Sequence, residues 1–256
     1  MAAELFEASK IKLKRARVHI EALREAILDY LRPHPVVLEV APGPTPDKKA
    51  WVVRVSNEAP RELAAIAGDA VHNLRSALDL MACELVRLNG KDDKNVRFPF
   101  SASEAEFDNA LSWRQMDKAA PDVVDLLKSM KPYRGGNEAL RGIHDLDILD
   151  KHQMLIPTIQ YAGAMPLTIQ TPIGPVEFTD FSVVPARDGE LIGLFAVNLP
   201  VPIGTKHLAM FGLALPAGAP FEHREMLHVL EDLAKLVAGI IEKFEMLCAG
   251  RQSPVA

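Results

Sequence analysis

Apolar residues recur with helical spacing in three long segments of the chain. The first covers about residues 3–32, the second about 61–89, and the third about 221–248. In each segment the apolar side chains return every three or four residues, which places them on one face of an α-helix. Prolines follow the first segment and an Asn-Gly pair follows the second, and both are common helix endings. The pattern predicts three amphipathic helices.

Two shorter helices are predicted between the second and third of these segments. One covers about residues 122–130 and the other about 138–156. In the segment 138–156 apolar residues fall nearly all round the helix, which is typical of a buried helix. The charged residues of that helix then need partners, because a buried unpaired charge is costly.

Runs rich in β-branched residues occupy two regions of the chain. Val36–Val40 and Trp51–Val55 flank a stretch rich in Pro and Gly, which predicts a hairpin with a long loop. Four more runs lie between residues 155 and 215 and are separated by Pro and Gly: Leu167–Thr171, Val176–Val184, Leu191–Val197 and Leu208–Leu215. These runs predict a mainly antiparallel sheet or a small barrel-like unit.

We therefore expect an α+β fold with one domain over residues 1–256. It has a mostly helical part (1–156), a β-rich part (157–215) and a C-terminal helix (220–249). The N-terminal, central and C-terminal helices form a layer that packs with an antiparallel sheet drawn largely from residues 155–215. The apolar stripe of the last helix fits a dimer interface as readily as the core of a monomer, so a homo-oligomer stays open.

Composition narrows the choice of compartment and partner. The formal net charge is −5, which argues against a protein that coats nucleic acid by charge. We interpret the basic residues between Lys10 and Arg17 as a solvated helix face. The two cysteines indicate neither a disulfide framework nor a zinc site. No apolar run is long enough to span a bilayer and no glycine-rich phosphate loop occurs. We expect a cytoplasmic protein with no membrane partner and no cofactor.

The segment Gly68–Asp79 carries the most informative polar residues. At about 100° per residue, His72, Arg75 and Asp79 share one broad helix face, with Asn73 at its edge. An amphipathic helix needs a polar side, and an exposed Arg-Asp pair four residues apart contributes only about 0.3–0.5 kcal/mol. His and Asn, however, are poor choices for an exposed helix face. The segment is therefore a candidate site as well as a solvated face.

The second polar segment is Leu140–His152, which contains His144, Asp150, Lys151 and His152. His144 and His152 lie about 12 Å apart along a helix, so they cannot bind the same metal ion.

A metal site is one alternative interpretation of the two segments. It would have to combine His72, and either Asp69 or Ser76, with His144 and Asp147.

Another alternative starts from the doublet His144-Asp145, which resembles the His-Asp pair of the HD phosphohydrolases. One such doublet arises often by chance.

Together the two segments resemble a group of uncharacterised bacterial proteins, often actinobacterial. That group has a Gly-Asp-x-x-His-Asn-Leu-Arg-Ser-Ala-Leu-Asp-His segment and a later His-x-Leu-x-x-x-Asp-Lys-His segment. The matching residues here are Gly68, Asp69, His72–Asp79, His144, Asp150, Lys151 and His152. Leu80 stands where the group has its final His. With that His, Arg75 would fit the Arg-x(4–6)-His spacing of HEPN ribonucleases, so the Leu puts an Arg/His ribonuclease mechanism in doubt.

Two hypotheses follow from the candidate residues His72, Asn73, Arg75, Asp79, His144, Asp150, Lys151 and His152. In the first, which we favour, the protein is a non-enzymatic binding or regulatory protein. Its polar groups bond each other across facing helices and bind a small polar or anionic ligand through Arg75 and Lys151.

In the second hypothesis the protein is a hydrolase of a phosphodiester or nucleotide. The general base is then His72 or His152, its orienting partner is Asp79 or Asp150, and the charge stabiliser is Arg75 or Lys151.

Overall fold

The segments with helical periodicity form α-helices in the computed structural model. The structure describes residues 4–161, 167–171, 174–178, 187–208 and 211–249. The α-helices of this described part are α1 (Glu7–Leu31), α2 (Glu62–Leu88), α3 (Phe107–Trp113), α4 (Pro121–Met130), α5 (Glu138–His152) and α6 (Met226–Cys248). A short 3₁₀ turn, Met116–Lys118, joins α3 to α4. Helix α5 ends four residues before its predicted end at 156, and α6 begins five residues after its predicted start at 221.

The strands of the described part pair in an antiparallel manner. They are β1 (Val36–Pro42), β2 (Lys48–Val55), β3 (Thr158–Tyr161), β4 (Leu167–Thr171), β5 (Gly174–Phe178), β6 (Leu191–Ala196), β7 (Lys206–His207) and β8 (Phe211–Ala214). The largest sheet has the order β6-β2-β1-β7, while β3 pairs with β8 and β4 pairs with β5. The expected α+β class is confirmed.

We expected the sheet to come largely from residues 155–215, but the centre of the largest sheet comes from an earlier part of the chain. Its two central strands are the hairpin β1–β2, and β6 and β7 add to the hairpin edges. The reason lies in the hairpin's side chains, since Leu38, Val40 and Val53 are fully buried in one cluster around Trp51. Residues 179–184 of the predicted strand Val176–Val184 and residues 209 and 210 of Leu208–Leu215 lie outside the described part.

The main hydrophobic core lies among the helices. Helix α1 packs along α2, and α5 and α6 contact α2 as well. Leu74, Leu78 and Met81 of α2 are fully buried in this core, together with Phe244 of α6. Among the described residues, no helix combines the length and apolarity that a membrane span requires.

Helix α5 has a side-chain cap at its start and a close contact with Phe221 at Gly142. The side chain of Asn137 caps the helix by accepting a hydrogen bond from the Leu140 N–H at 3.0 Å. At Gly142 an added Cβ would lie 2.3 Å from the ring of Phe221, so only glycine allows that ring to pack so closely. The buried residues of the helix are 140–143, 146 and 147, whereas Glu138 and Ala139 at its start and Lys151 and His152 at its end are exposed. The expected burial of the whole helix is therefore right only for its middle.

Candidate functional site

Helices α2 and α5 run antiparallel, and their polar residues meet in successive layers. The layers pair Gly68 with Asp150, His72 with Asp147, and Arg75 with His144; we call these six residues the α2–α5 seam. From one layer to the next, the residue number rises by three or four on α2 and falls by three on α5. That spacing is about one helical turn on both helices, which keeps all the layers on the same two facing surfaces.

The middle layer is an ordered imidazole-carboxylate pair. The Nδ1 atom of His72 lies 3.0 Å from Oδ1 of Asp147, and the Nζ atom of Lys151 donates to Oδ2 of the same carboxylate at 2.5 Å. The Asp147 side chain is only 5% exposed, while His72 and Lys151 are 55% and 54% exposed. The Nε2 atom of His72 lies 3.5 Å from the hydroxyl of Ser76. A fixed carboxylate thus orients an accessible imidazole.

The first layer depends on a glycine. A Cβ added at Gly68 would lie 2.3 Å from both carboxylate oxygens of Asp150, so Asp150 fits there only because residue 68 has no side chain. Burial raises the pKa of Asp150 above its usual range, and the neighbouring carboxylates of Asp147 and Asp69 raise it further.

In the third layer Arg75 is a buried cation. Its side chain is 7% exposed, its guanidinium lies 4.6 Å from the centre of the Phe100 ring, and it forms an ion pair with Asp79. The contact of Nη1 with Asp79 lacks the alignment of a hydrogen bond, and Nη1 has no other partner among the described residues. Asp79 also accepts a hydrogen bond from the Phe98 N–H at 2.8 Å. The carboxylate is therefore shared between a buried cation and the backbone of the following loop.

Two further arginines lie next to Arg75, and with it they form what we call the arginine cluster: Arg75, Arg97 and Arg114. Arg97 approaches Asp79 to 3.9 Å from the exposed side. Arg114 is half-buried, and burial together with the positive charge of Arg75 lowers its pKa. Two guanidiniums thus share the carboxylate of Asp79 and a third lies within electrostatic range of them, which leaves a local excess of positive charge.

His144 stacks on Phe100 beside the arginine cluster. The two ring centres are 4.9 Å apart and the rings are nearly parallel. Its Nδ1 atom is buried without a hydrogen-bond partner in the described part of the protein. Burial, followed by the positive charges of Arg75 and Arg141, lowers the pKa of His144 to about 4. The imidazole is therefore neutral at pH 7.

Arg141 ties α5 to the loop that carries Phe98 and Phe100. It donates two hydrogen bonds to Asp145, at 3.0 and 2.6 Å, and one to the Ser101 carbonyl at 2.6 Å. Arg134 also contacts Asp145. Two arginines thus occupy this carboxylate, so the doublet of residues 144 and 145 does not offer a free His-Asp pair of the HD type.

The structure assigns different positions to the remaining candidate residues. Asn73 donates to the Asp69 carbonyl at 2.8 Å and accepts from Lys12 at 3.4 Å, which is a contact with α1 instead of α5. His152 is exposed and has no hydrogen bond or ion pair with any described residue. Among the described residues, no cluster of three His, Cys, Asp or Glu side chains is arranged to hold a metal ion.

Sequence reasoning missed several side chains of the site. Phe100, Arg97, Arg114 and Arg141 were not among the candidate residues, and Asp147 was considered only as a ligand of the alternative metal site. Asp147 had a usable signal, since it lies three residues after His144 and four before Lys151 on one helix face. The other missed residues except Arg141 stand in loops or at a helix end, where no periodicity identifies a facing partner.

The chain was compared with models of known protein families, with curated proteins and with solved structures, and none of them matches it.

Proposed function

We propose that the protein binds a small anionic ligand at the arginine cluster and acts as a binding or regulatory protein. The observation that carries this proposal is the charge excess, because Arg75 and Arg97 share the single carboxylate of Asp79 and the charges of all three groups also act on Arg114. The nearby Asp93 does not balance them, since it forms its own ion pair with Arg87 at 2.6 Å.

The surroundings of the arginine cluster favour the binding of an anion. Arg75 and Arg114 have lost much of their contact with water, so an anion gains more from them than it would from exposed lysines. The exposed Arg97 is free to swing towards a ligand, because its contact with Asp79 is long at 3.9 Å. A guanidinium presents two parallel N–H donors, which match the oxygens of a phosphate or carboxylate. These features support phosphate as the first probe.

Calorimetric titration with inorganic phosphate and pyrophosphate at low ionic strength tests the proposal. We expect binding by the wild type and a loss of at least about tenfold in affinity for Arg97→Gln and for Arg114→Gln, which corresponds to about 1.4 kcal/mol. Arg32→Gln is the matched control, since Arg32, directly after α1, is 76% exposed and pairs only with Asp29 among the described residues. Equal losses in all three variants, or no binding by the wild type, would contradict the proposal.

The middle layer of the seam supports a second candidate, hydrolysis of a phosphodiester or nucleotide. The specific observation is the buried carboxylate of Asp147, which holds Nδ1 of His72 and leaves Nε2 on the accessible side. In this scheme Nε2 of His72 accepts a proton from an attacking water, Asp147 orients the ring, and Lys151 stabilises developing negative charge. Asp147 takes the orienting role for which the sequence suggested Asp79 or Asp150.

A chromogenic phosphodiester, bis(p-nitrophenyl) phosphate, tests this second candidate. We expect His72→Gln to abolish turnover and Asp147→Asn to lower kcat by about 100-fold, in the range of general-base contributions. His152→Gln serves as the control because His152 lies on the same helix as Asp147 and is exposed. Turnover that survives in His72→Gln, or falls equally in His152→Gln, would exclude the role of His72.

A further inference from the structure

We propose that the ligand of the arginine cluster is a nucleotide, with its phosphate on Arg97 and Arg114 and its base stacked on Trp113. This inference rests on the proposed anion-binding function and names the class of ligand.

Trp113 is the most exposed large apolar side chain among the described residues. It is the last residue of α3, and 79% of it is exposed. The helix packs through Phe107, Ala110 and Leu111, which are its buried residues. The indole therefore contributes little to the core, and its exposure leaves a large aromatic surface in water.

The indole and the arginine cluster form one continuous surface. The guanidinium of Arg114 lies 5.0 Å from the centre of the Trp113 ring, which is a cation-π contact. Arg97 is held beside it, because its backbone N–H donates to the Arg114 carbonyl at 3.3 Å. Since Arg114 lies over one face of the indole while most of the side chain stays exposed, the ring retains surface on which a second planar group can stack.

A nucleotide matches both parts of this surface. Its base has a π-face that stacks on an aromatic side chain, and its phosphate takes the paired N–H donors of a guanidinium. An inorganic anion would use the arginines alone and leave the indole exposed. The net charge of −5 disfavours a long polyanion, so the arrangement fits a mononucleotide better than an extended strand.

Three probes of increasing complexity test the inference: inorganic phosphate, ribose 5-phosphate and adenosine 5′-monophosphate. We expect wild-type protein to bind the nucleotide at least about tenfold more tightly than ribose 5-phosphate, because stacking on an aromatic side chain is worth a factor of this order or more. The nucleotide should also quench tryptophan fluorescence. Trp51 is fully buried in the sheet, so the quenching reports on Trp113.

Two variants of Trp113 separate stacking from folding. Trp113→Ala should bind ribose 5-phosphate as the wild type does and lose the preference for the nucleotide, whereas Trp113→Phe should keep part of that preference. Both variants should fold normally because the side chain is exposed.

The two possible failures are distinguishable. If phosphate and ribose 5-phosphate bind but the wild type shows no preference for the nucleotide, the inference is overturned and the anion site stands. If the preference persists in Trp113→Ala, stacking on Trp113 is likewise overturned. If none of the three probes binds, the proposed function is overturned and the inference falls with it.

Discussion

Replacement of His144 by glutamine should remove a specific part of the pH dependence of stability. The imidazole has a folded-state pKa of about 4, because it is buried and lies beside Arg75 and Arg141. In the unfolded chain the pKa is about 6.5. As the pH falls below 6.5 the unfolded state binds a proton that the folded state does not bind. The contribution of His144 to stability is therefore fully present above about pH 6.5 and is lost progressively as the pH falls towards 4.

The magnitude follows from these two pKa values. At pH 5.0 they correspond to a loss of about 2 kcal/mol in the free energy of unfolding, against nearly zero at pH 7.5. Because His144 keeps part of its surface in water, we expect a loss of about 1–2 kcal/mol. The substituted glutamine carries no titratable group, so the wild type should lose this much more stability than His144→Gln over the same pH interval.

Urea denaturation followed by circular dichroism at pH 7.5, 6.0 and 5.0 measures the effect. The variant loses the stacking of His144 on Phe100 at every pH. The informative quantity is therefore how the difference in the free energy of unfolding between the wild type and the variant changes with pH. His152→Gln is the control on the same helix and should follow the wild type, since that side chain is exposed. Parallel stability curves for the wild type and His144→Gln, constant within about 0.5 kcal/mol, would refute the reasoning.

Two further predictions concern the other layers of the seam, and both are checked by urea denaturation. Asp147→Ala should lower stability by about 1–2 kcal/mol, because two charge-assisted hydrogen bonds are lost while His72 and Lys151 stay hydrated; an unchanged unfolding midpoint would contradict this. Gly68→Ala should destabilise the protein because the new Cβ displaces the Asp150 carboxylate. In an Asp150→Ala background, Gly68→Ala should be neutral or stabilising, which gives a coupling free energy of about 1–2 kcal/mol between the two substitutions. If the effects of the two substitutions on stability simply add, the close contact has no energetic role.

The sequence alone determined the elements whose signal is local. The periodicity of apolar residues located α1, α2 and α6 within a few residues, because a helix that buries one face must repeat its apolar positions at about 3.6 residues. The β-branched runs around a Pro/Gly-rich stretch located the hairpin of β1 and β2 in the same way. The sequence also selected His72, Arg75 and His144 as unusual, since such residues fit poorly on a fully exposed or fully apolar helix face.

Tertiary structure alone decided which of these residues meet. The antiparallel register of α2 against α5 places Asp147 opposite His72, and that register depends on close contacts such as Gly68 with Asp150. A single sequence does not encode such a register as a repeat. From the sequence, Asp79 and Asp150 were therefore as reasonable as Asp147 as the carboxylate partner of a histidine. Arg97 and Arg114 reach the site from irregular segments that are joined by the hydrogen bond from the Arg97 N–H to the Arg114 carbonyl, and no local pattern predicts that pairing.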